Sequence, residues 1–268
     1  VMKSKSFIPL FIYYEKDFKW PLGSASRFWL HHALLDLALQ YKQIGGQLII
    51  RKGPPLQILQ EMIKKHGVTA VYFNLRLDPE RLQRDLYVKE QLEKMGIEVL
   101  LYNSNHLMNP ETFRNQSNGP YTVFTPFYNA LVKTQDLETG PEKKLSSLTK
   151  VSGVASEKVE DLDLLDRHGW DKKVMQYWDP TREGAKALLK SFSKVVKDYK
   201  HDRDFPALHA TSKMSVYLHF GQVSPREIIA YLREKESKTY VDAFIRQLVW
   251  REFGMYFLYH FPQTTDKN

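Results

Sequence analysis

The chain has 268 residues, a net charge of +8 and a pI of about 9.3. A composition 43% hydrophobic and 26% charged excludes a disordered chain, and the absence of cysteine excludes disulfides and thiolate metal sites. No apolar run reaches the length of a membrane span and no signal peptide is visible, so a cytoplasmic protein without membrane contacts is expected. The positive charge favours an acidic partner such as nucleic acid, although a Lys-rich solvated face gives the same balance. The first residue is Val1 rather than Met, as expected of a piece of a longer chain.

Residues 6–13 (SFIPLFIY) form a short apolar run that predicts a buried strand. Ser24, Ser26 and RFWLHHALLDLALQYKQ predict a Ser-capped helix stopped at Gly45–Gly46. GQLIIRKG predicts a strand, and PPLQILQEMIKKHG a helix opened by Pro and stopped by Gly67. AVYFNL, PERLQRDLYVKEQLEKMG and EVLLYN continue as strand, helix and strand. This alternation predicts a parallel, doubly wound α/β domain over residues 1–105. No G-x-G-x-x-G follows any strand, so an ordinary dinucleotide site is not supported. Of His31 and His32, one is expected to pack and the other to be solvated.

Residues 106–175 read as an interdomain linker. NPETFRNQSNGPYTVFTPFYNAL is loop-like with an aromatic patch, and TQDLETGPEKKLSSLTKVSGVASEKVED reads as a polar surface connector. From residue 176 the pattern is helical. PTREGAKALLKSFSKVVKDY predicts one amphipathic helix begun by Pro180, its lysines on a solvated face. Thr211, Ser212 and Ser215 precede a short apolar run, and Ser224-Pro225-Arg226-Glu227 is a second helix start. FIRQLVWREFGMYFLYHF reads as one helix whose apolar positions exceed a core-facing stripe. Phe244, Gln247, Trp250 and Arg251 fall on neighbouring positions of that helix. Taken alone, these signals also suit ordinary caps, a core Trp and a snorkelling Arg.

Their order is more specific. Tyr199 stands twelve residues before Thr211-Ser212-Lys213-Met214-Ser215, Tyr217 to Arg226 reads YLHFGQVSPR, and Trp250-Arg251-Glu252-Phe253 follows. These stretches resemble the start of the flavin-binding domain of the DNA photolyase and cryptochrome family. Gly23 to Leu34, Arg84–Asp85 and Thr125-Pro126-Phe127 also match its patterns. The resemblance implies an antenna domain (1–105, Rossmann-like) that can bind a pterin such as methenyltetrahydrofolate, or a deazaflavin. A long linker (106–175) then joins it to the start of an all-α FAD-binding domain (176–268).

Carried over by position, Tyr199, Thr211, Ser212, Lys213, Met214, Ser215, Phe244, Gln247 and Arg251 are implied to hold FAD. Gln247 and Trp250 are implied to meet the lesion, and Arg203 a DNA phosphate beside it. The implied activity is that of a deoxyribodipyrimidine photo-lyase, a monomer that repairs cyclobutane pyrimidine dimers in UV-damaged DNA using blue light. The alternatives are a (6-4) photolyase or a cryptochrome-type photoreceptor, because Gln247 stands where many dimer-splitting enzymes have Glu, and an amide cannot supply a carboxylate's charge. Lys213 stands where Arg is common, which keeps the charge but loses the planar fork. Family members also begin with a strand ahead of Phe7 and continue past Asn268 with helices that close over the flavin. The chain is therefore expected to be an inactive fragment that binds flavin weakly or not at all.

Overall fold

The computed structural model describes residues 7–266 apart from 15, 17, 18, 20, 136, 138–144 and 167. The expected alternation is present: β1 (Leu10–Tyr13), α1 (Ser24–Gln43), β2 (Ile49–Lys52), α2 (Pro55–His66), β3 (Ala70–Asn74), α3 (Pro79–Lys94) and β4 (Glu98–Tyr102). β1 and β2 pair in parallel, from Leu10 opposite Ile49 to Tyr13 opposite Lys52. β3 pairs with β4, and the amides of Glu98 and Leu75 donate to the carbonyls of Thr69 and Tyr102. Among the described residues the strands thus form two short pairs. α2 starts at Pro55 and ends where Gly67 turns left-handed at φ 62°, as its sequence predicts. α1 differs: Gly23 occupies the N-cap, and no side chain caps the helix.

The helical half contains α4 (Phe124–Thr134), α5 (Asp171–Val174), α6 (Arg182–Ser193), α7 (Tyr199–Asp202), α8 (Ser215–His219), α9 (Pro225–Lys235) and α10 (Lys238–His260). No helix among the described residues is long and apolar enough to cross a membrane. Two expectations are corrected here. The single helix expected from Pro180 to Tyr199 ends at Ser193, and turns carry the chain into α7. The loop-like stretch around Thr125 forms α4, because Pro126 falls in the first turn, where its missing N–H has no intrahelical partner to lose.

The chain divides into two compact units, residues 1–71, 86–100 and 142–184, and residues 72–85, 101–141 and 185–268. In the first, Tyr13, Leu34, Leu48 and Ile50 pack with Val159, Leu162 and Leu164. The expected surface connector is therefore partly core; its residues 136 and 138–144 lie outside the described residues. Ser156 Oγ accepts the Ile50 N–H at 2.9 Å, and the Glu157 N–H donates to the Ile50 carbonyl at 2.9 Å. Those bonds cover the edge of β2 that faces away from β1. Leu148 crosses Gly45 and Gly46 so closely that a side chain at Gly46 would collide with it. His31 is buried and His32 half-buried against Phe28, at 4.7 Å between rings, and burial holds both imidazoles below their ordinary pKa.

In the second unit α10 touches α4, α7 and α9. Val241, Phe244, Ile245, Leu248, Val249 and Tyr256 are all buried, which explains why its apolar positions run round the helix. The Ser224 hydroxyl accepts the Glu227 N–H at 3.0 Å and opens α9 as its sequence predicts. The aromatic patch of residues 109–131 packs on the C-terminal half of α10. There the Tyr256 hydroxyl accepts the Tyr121 N–H at 3.1 Å and donates to the Phe113 carbonyl at 2.9 Å. Replacing Tyr256 by Phe leaves both backbone groups without that partner, so urea unfolding should show a loss of about 1–3 kcal/mol.

Candidate flavin and lesion site

The polar centre of the second unit is Glu252, fully buried in the middle of α10. Its Oε2 accepts the Leu107 N–H at 2.8 Å, and its Oε1 accepts Arg251 Nη1 at 2.5 Å. Arg251 Nη1 also donates to the Asn105 carbonyl at 3.1 Å, and Arg226 Nη2 from α9 donates to the Leu107 carbonyl at 2.7 Å. The buried His106 ring brings Nδ1 to 3.4 Å from the same carboxylate. Two helices therefore clasp the turn 105–107 through one acid and two guanidiniums. A buried carboxylate survives only with such partners. Sequence reasoning named Glu252 only within a motif; an acid whose neighbours three and four residues away on the helix (Leu248, Val249, Met255 and Tyr256) are all apolar was the available signal.

On α7 and α8, Tyr199 is buried, with its ring edge-on to Phe192 at 5.5 Å and to Phe244 at 5.4 Å. The exposed Arg203 guanidinium lies 5.8 Å from the Tyr199 ring centroid and 3.4 Å from Asp204. Lys213 adopts φ 55°, a left-handed conformation uncommon outside glycine. The turn this makes leaves Thr211, Lys213 and Ser215 exposed while Met214 is buried. Ser212 is half-buried, and its Oγ accepts the Met214 N–H at 3.3 Å. The hydroxyls of Thr211 and Ser215 have no hydrogen-bond partner among the described residues.

Along α10, Phe244 is core, packed on Tyr199 and on Phe192 at 4.7 Å between centroids. Gln247 is half-buried, and its amide has no partner among the described residues. Trp250 is 46% exposed and stacks face to face on Phe124, with centroids 3.6 Å apart and planes 6° from parallel. His219, the last residue of α8, sits below the usual imidazole pKa because of desolvation first and the nearby Arg81 and Arg251 charges second. The structure therefore joins Tyr199 to Phe244 directly and places Gln247, Trp250 and Arg251 on the following turns. Among the described residues, no hydrogen bond or ring contact joins Thr211, Ser212 or Ser215 to Gln247, Trp250 or Arg251.

The donor set fits the phosphate end of a flavin dinucleotide. Unpartnered hydroxyls and an exposed ammonium suit phosphate oxygens, and the unpartnered Gln247 amide suits the polar edge of a ring. In the first half of the chain, Arg76 grips the buried Asp85 with two bonds of 2.9 and 2.7 Å, and Arg84 adds two more at 3.2 and 3.0 Å. Arg76 was not singled out from the sequence.

The family model described as DNA photolyase matches residues 1–145. A deoxyribodipyrimidine photo-lyase of Agrobacterium fabrum is 32% identical over 262 residues, covering 96% of this chain and 55% of that protein. Cryptochrome-2 of Arabidopsis thaliana is 28% identical over 281 residues, covering 98% of this chain and 46% of its own length. The crystal structure of a bacterial class III photolyase from Agrobacterium tumefaciens superposes with a TM-score of 0.91 at 33% identity, over 99% of this chain and 56% of that one. The chain spans about half the length of the curated relatives it matches.

Replacing Glu252 by Gln leaves Arg251 without its counter-charge, and chemical unfolding should report a loss of roughly 3 kcal/mol. Removing the exposed Lys89–Glu93 pair with Lys89→Ala should cost under about 1 kcal/mol.

Proposed function

The chain belongs to the DNA photolyase family, and on that premise we propose that its protein is a deoxyribodipyrimidine photo-lyase repairing cyclobutane pyrimidine dimers in UV-damaged DNA. The observation that carries this reading is Trp250. A large indole left 46% exposed between the buried Val249 and Glu252 turns of α10, beside an unpartnered Gln247 amide, is a flat surface waiting for a flat ligand. Bases taken out of a duplex lose their stacking partners, and an aromatic face restores about 1–3 kcal/mol per base.

In this reading Tyr199, Thr211, Ser212, Lys213, Met214, Ser215, Phe244, Gln247 and Arg251 hold FAD. When bound and fully reduced, FAD supplies on excitation the electron that opens the dimer and takes it back afterwards. The Thr211, Ser212 and Ser215 hydroxyls and the Lys213 ammonium receive the pyrophosphate. Phe244 and Met214 are the apolar packing that fixes those groups in place. Gln247 donates from its amide to a pyrimidine carbonyl, and Trp250 stacks on the extruded bases and keeps water from that face. Arg203 contacts a phosphate next to the lesion, which sets position without reading sequence.

Residues 1–105 form the antenna domain for a methenyltetrahydrofolate-type pterin or a deazaflavin. Residues 106–175 link it to the FAD-binding domain that starts at 176. The protein acts as a cytoplasmic monomer. A second reading, a (6-4) photolyase or a cryptochrome-type photoreceptor, draws support from Gln247, whose neutral amide cannot supply the charge of a carboxylate. The test irradiates an oligonucleotide and follows its dimers with the whole protein. Loss of dimers under blue light and none in darkness is expected. Equal dimer content in both removes the first reading, and photoreduction of bound flavin without repair establishes the photoreceptor instead.

A further inference from the structure

Trp250 is held by a neighbour that neither the motifs nor the family reading includes. Phe124, at the start of α4, is buried and lies parallel to the indole at 3.6 Å. It is fixed in turn by Phe253 and Tyr128, each 5.8 Å away between ring centroids. Arg246 sits one helical turn before Trp250. Its guanidinium carbon is 4.9 Å from the Phe124 ring centroid and 4.8 Å from that of Tyr128. Arg51, Arg76, Arg84 and Arg251 each reach a carboxylate. Arg246 has no carboxylate partner among the described residues, so two rings hold its charge in place without neutralising it.

We propose that Phe124, Arg246 and Trp250 form one nucleotide-binding element, in which the open face of Trp250 takes an unstacked base and Arg246 takes a phosphate adjoining it. The inference rests on the lesion-repair reading above and adds two residues to it. Phe124 is a positioning residue. An exposed indole on a helix would otherwise sample more than one rotamer, and ordering it would weaken binding. Stacking on Phe124 settles its plane before any base arrives. Arg246 and Trp250 are four residues apart, about 6 Å along the helix axis, which is the scale of a single nucleotide. A planar guanidinium held above rings can bond phosphate through two N–H groups at once.

The test measures the affinity of the whole protein for a duplex carrying one thymine dimer and for the undamaged duplex, over a range of salt. Phe124→Leu keeps apolar bulk but removes the ring. It should weaken dimer binding roughly three- to tenfold, leave undamaged binding unchanged, and be restored by Phe124→Tyr. Arg246→Gln should weaken both duplexes alike and make the log–log salt slope shallower by about 0.9, the value for one phosphate. Trp250→Ala serves as the reference. If it leaves the preference for the dimer intact, the lesion-repair reading itself is wrong. If it abolishes that preference while Phe124→Leu keeps it, or while Arg246→Gln keeps the wild-type slope, the element is refuted. Should Phe124→Leu not fold, the Arg246→Gln slope decides.

Discussion

Glu252 is the constraint on which the second unit depends. A carboxylate with no solvent contact has to find its donors inside the protein. It finds one on the backbone of Leu107 and one on Arg251. Those bonds fix a turn 145 residues earlier in the chain against the middle of α10. Arg226 reaches the same turn from α9, so three segments meet at the backbone of Leu107. The arrangement contributes more to uniqueness than to net stability, because desolvating the charges offsets much of their attraction.

The candidate site side chains inherit their placement from that anchor. Phe244, Gln247 and Trp250 occupy successive turns of a helix whose rotation is set by Glu252 inward and by Tyr256 bonded to the loop behind it. With those two residues held, Trp250 must emerge where Phe124 can stack on it, and Gln247 must stay half-buried. The hydroxyl turn is built differently. Its exposure follows from a left-handed Lys213, which lets Met214 enter the core while the groups on either side face outward. One part is therefore rigid through packing, and the other is shaped by a single backbone torsion. That division suits a ligand with a flat end and a charged end.

Much of this was legible from residues alone. Pro55 and Gly67 delimit α2, Ser224 opens α9, and the long apolar register of α10 predicts a helix buried on several sides. The spacing from Tyr199 to Ser215 and the Trp250–Phe253 run marked the candidate site. What escaped was non-local. Val159, Leu162 and Leu164 are interspersed with charged residues, so no periodicity reveals that they join the core around Ile50. Phe124 and Trp250 are far apart in sequence, and nothing in either segment shows that their rings stack. Arg251 reads as a free cation in the sequence, yet its neighbour Glu252 and the Asn105 carbonyl both engage it.

The most direct test of this account is native-state hydrogen exchange at the Leu107 amide. If the buried carboxylate anchors the turn, that proton exchanges only with global unfolding, as slowly as the core amides of α10. Exchange of Leu107 at the rate of the exposed Asn115–Gly119 turn would contradict it, and with it the basis for the placement of α10.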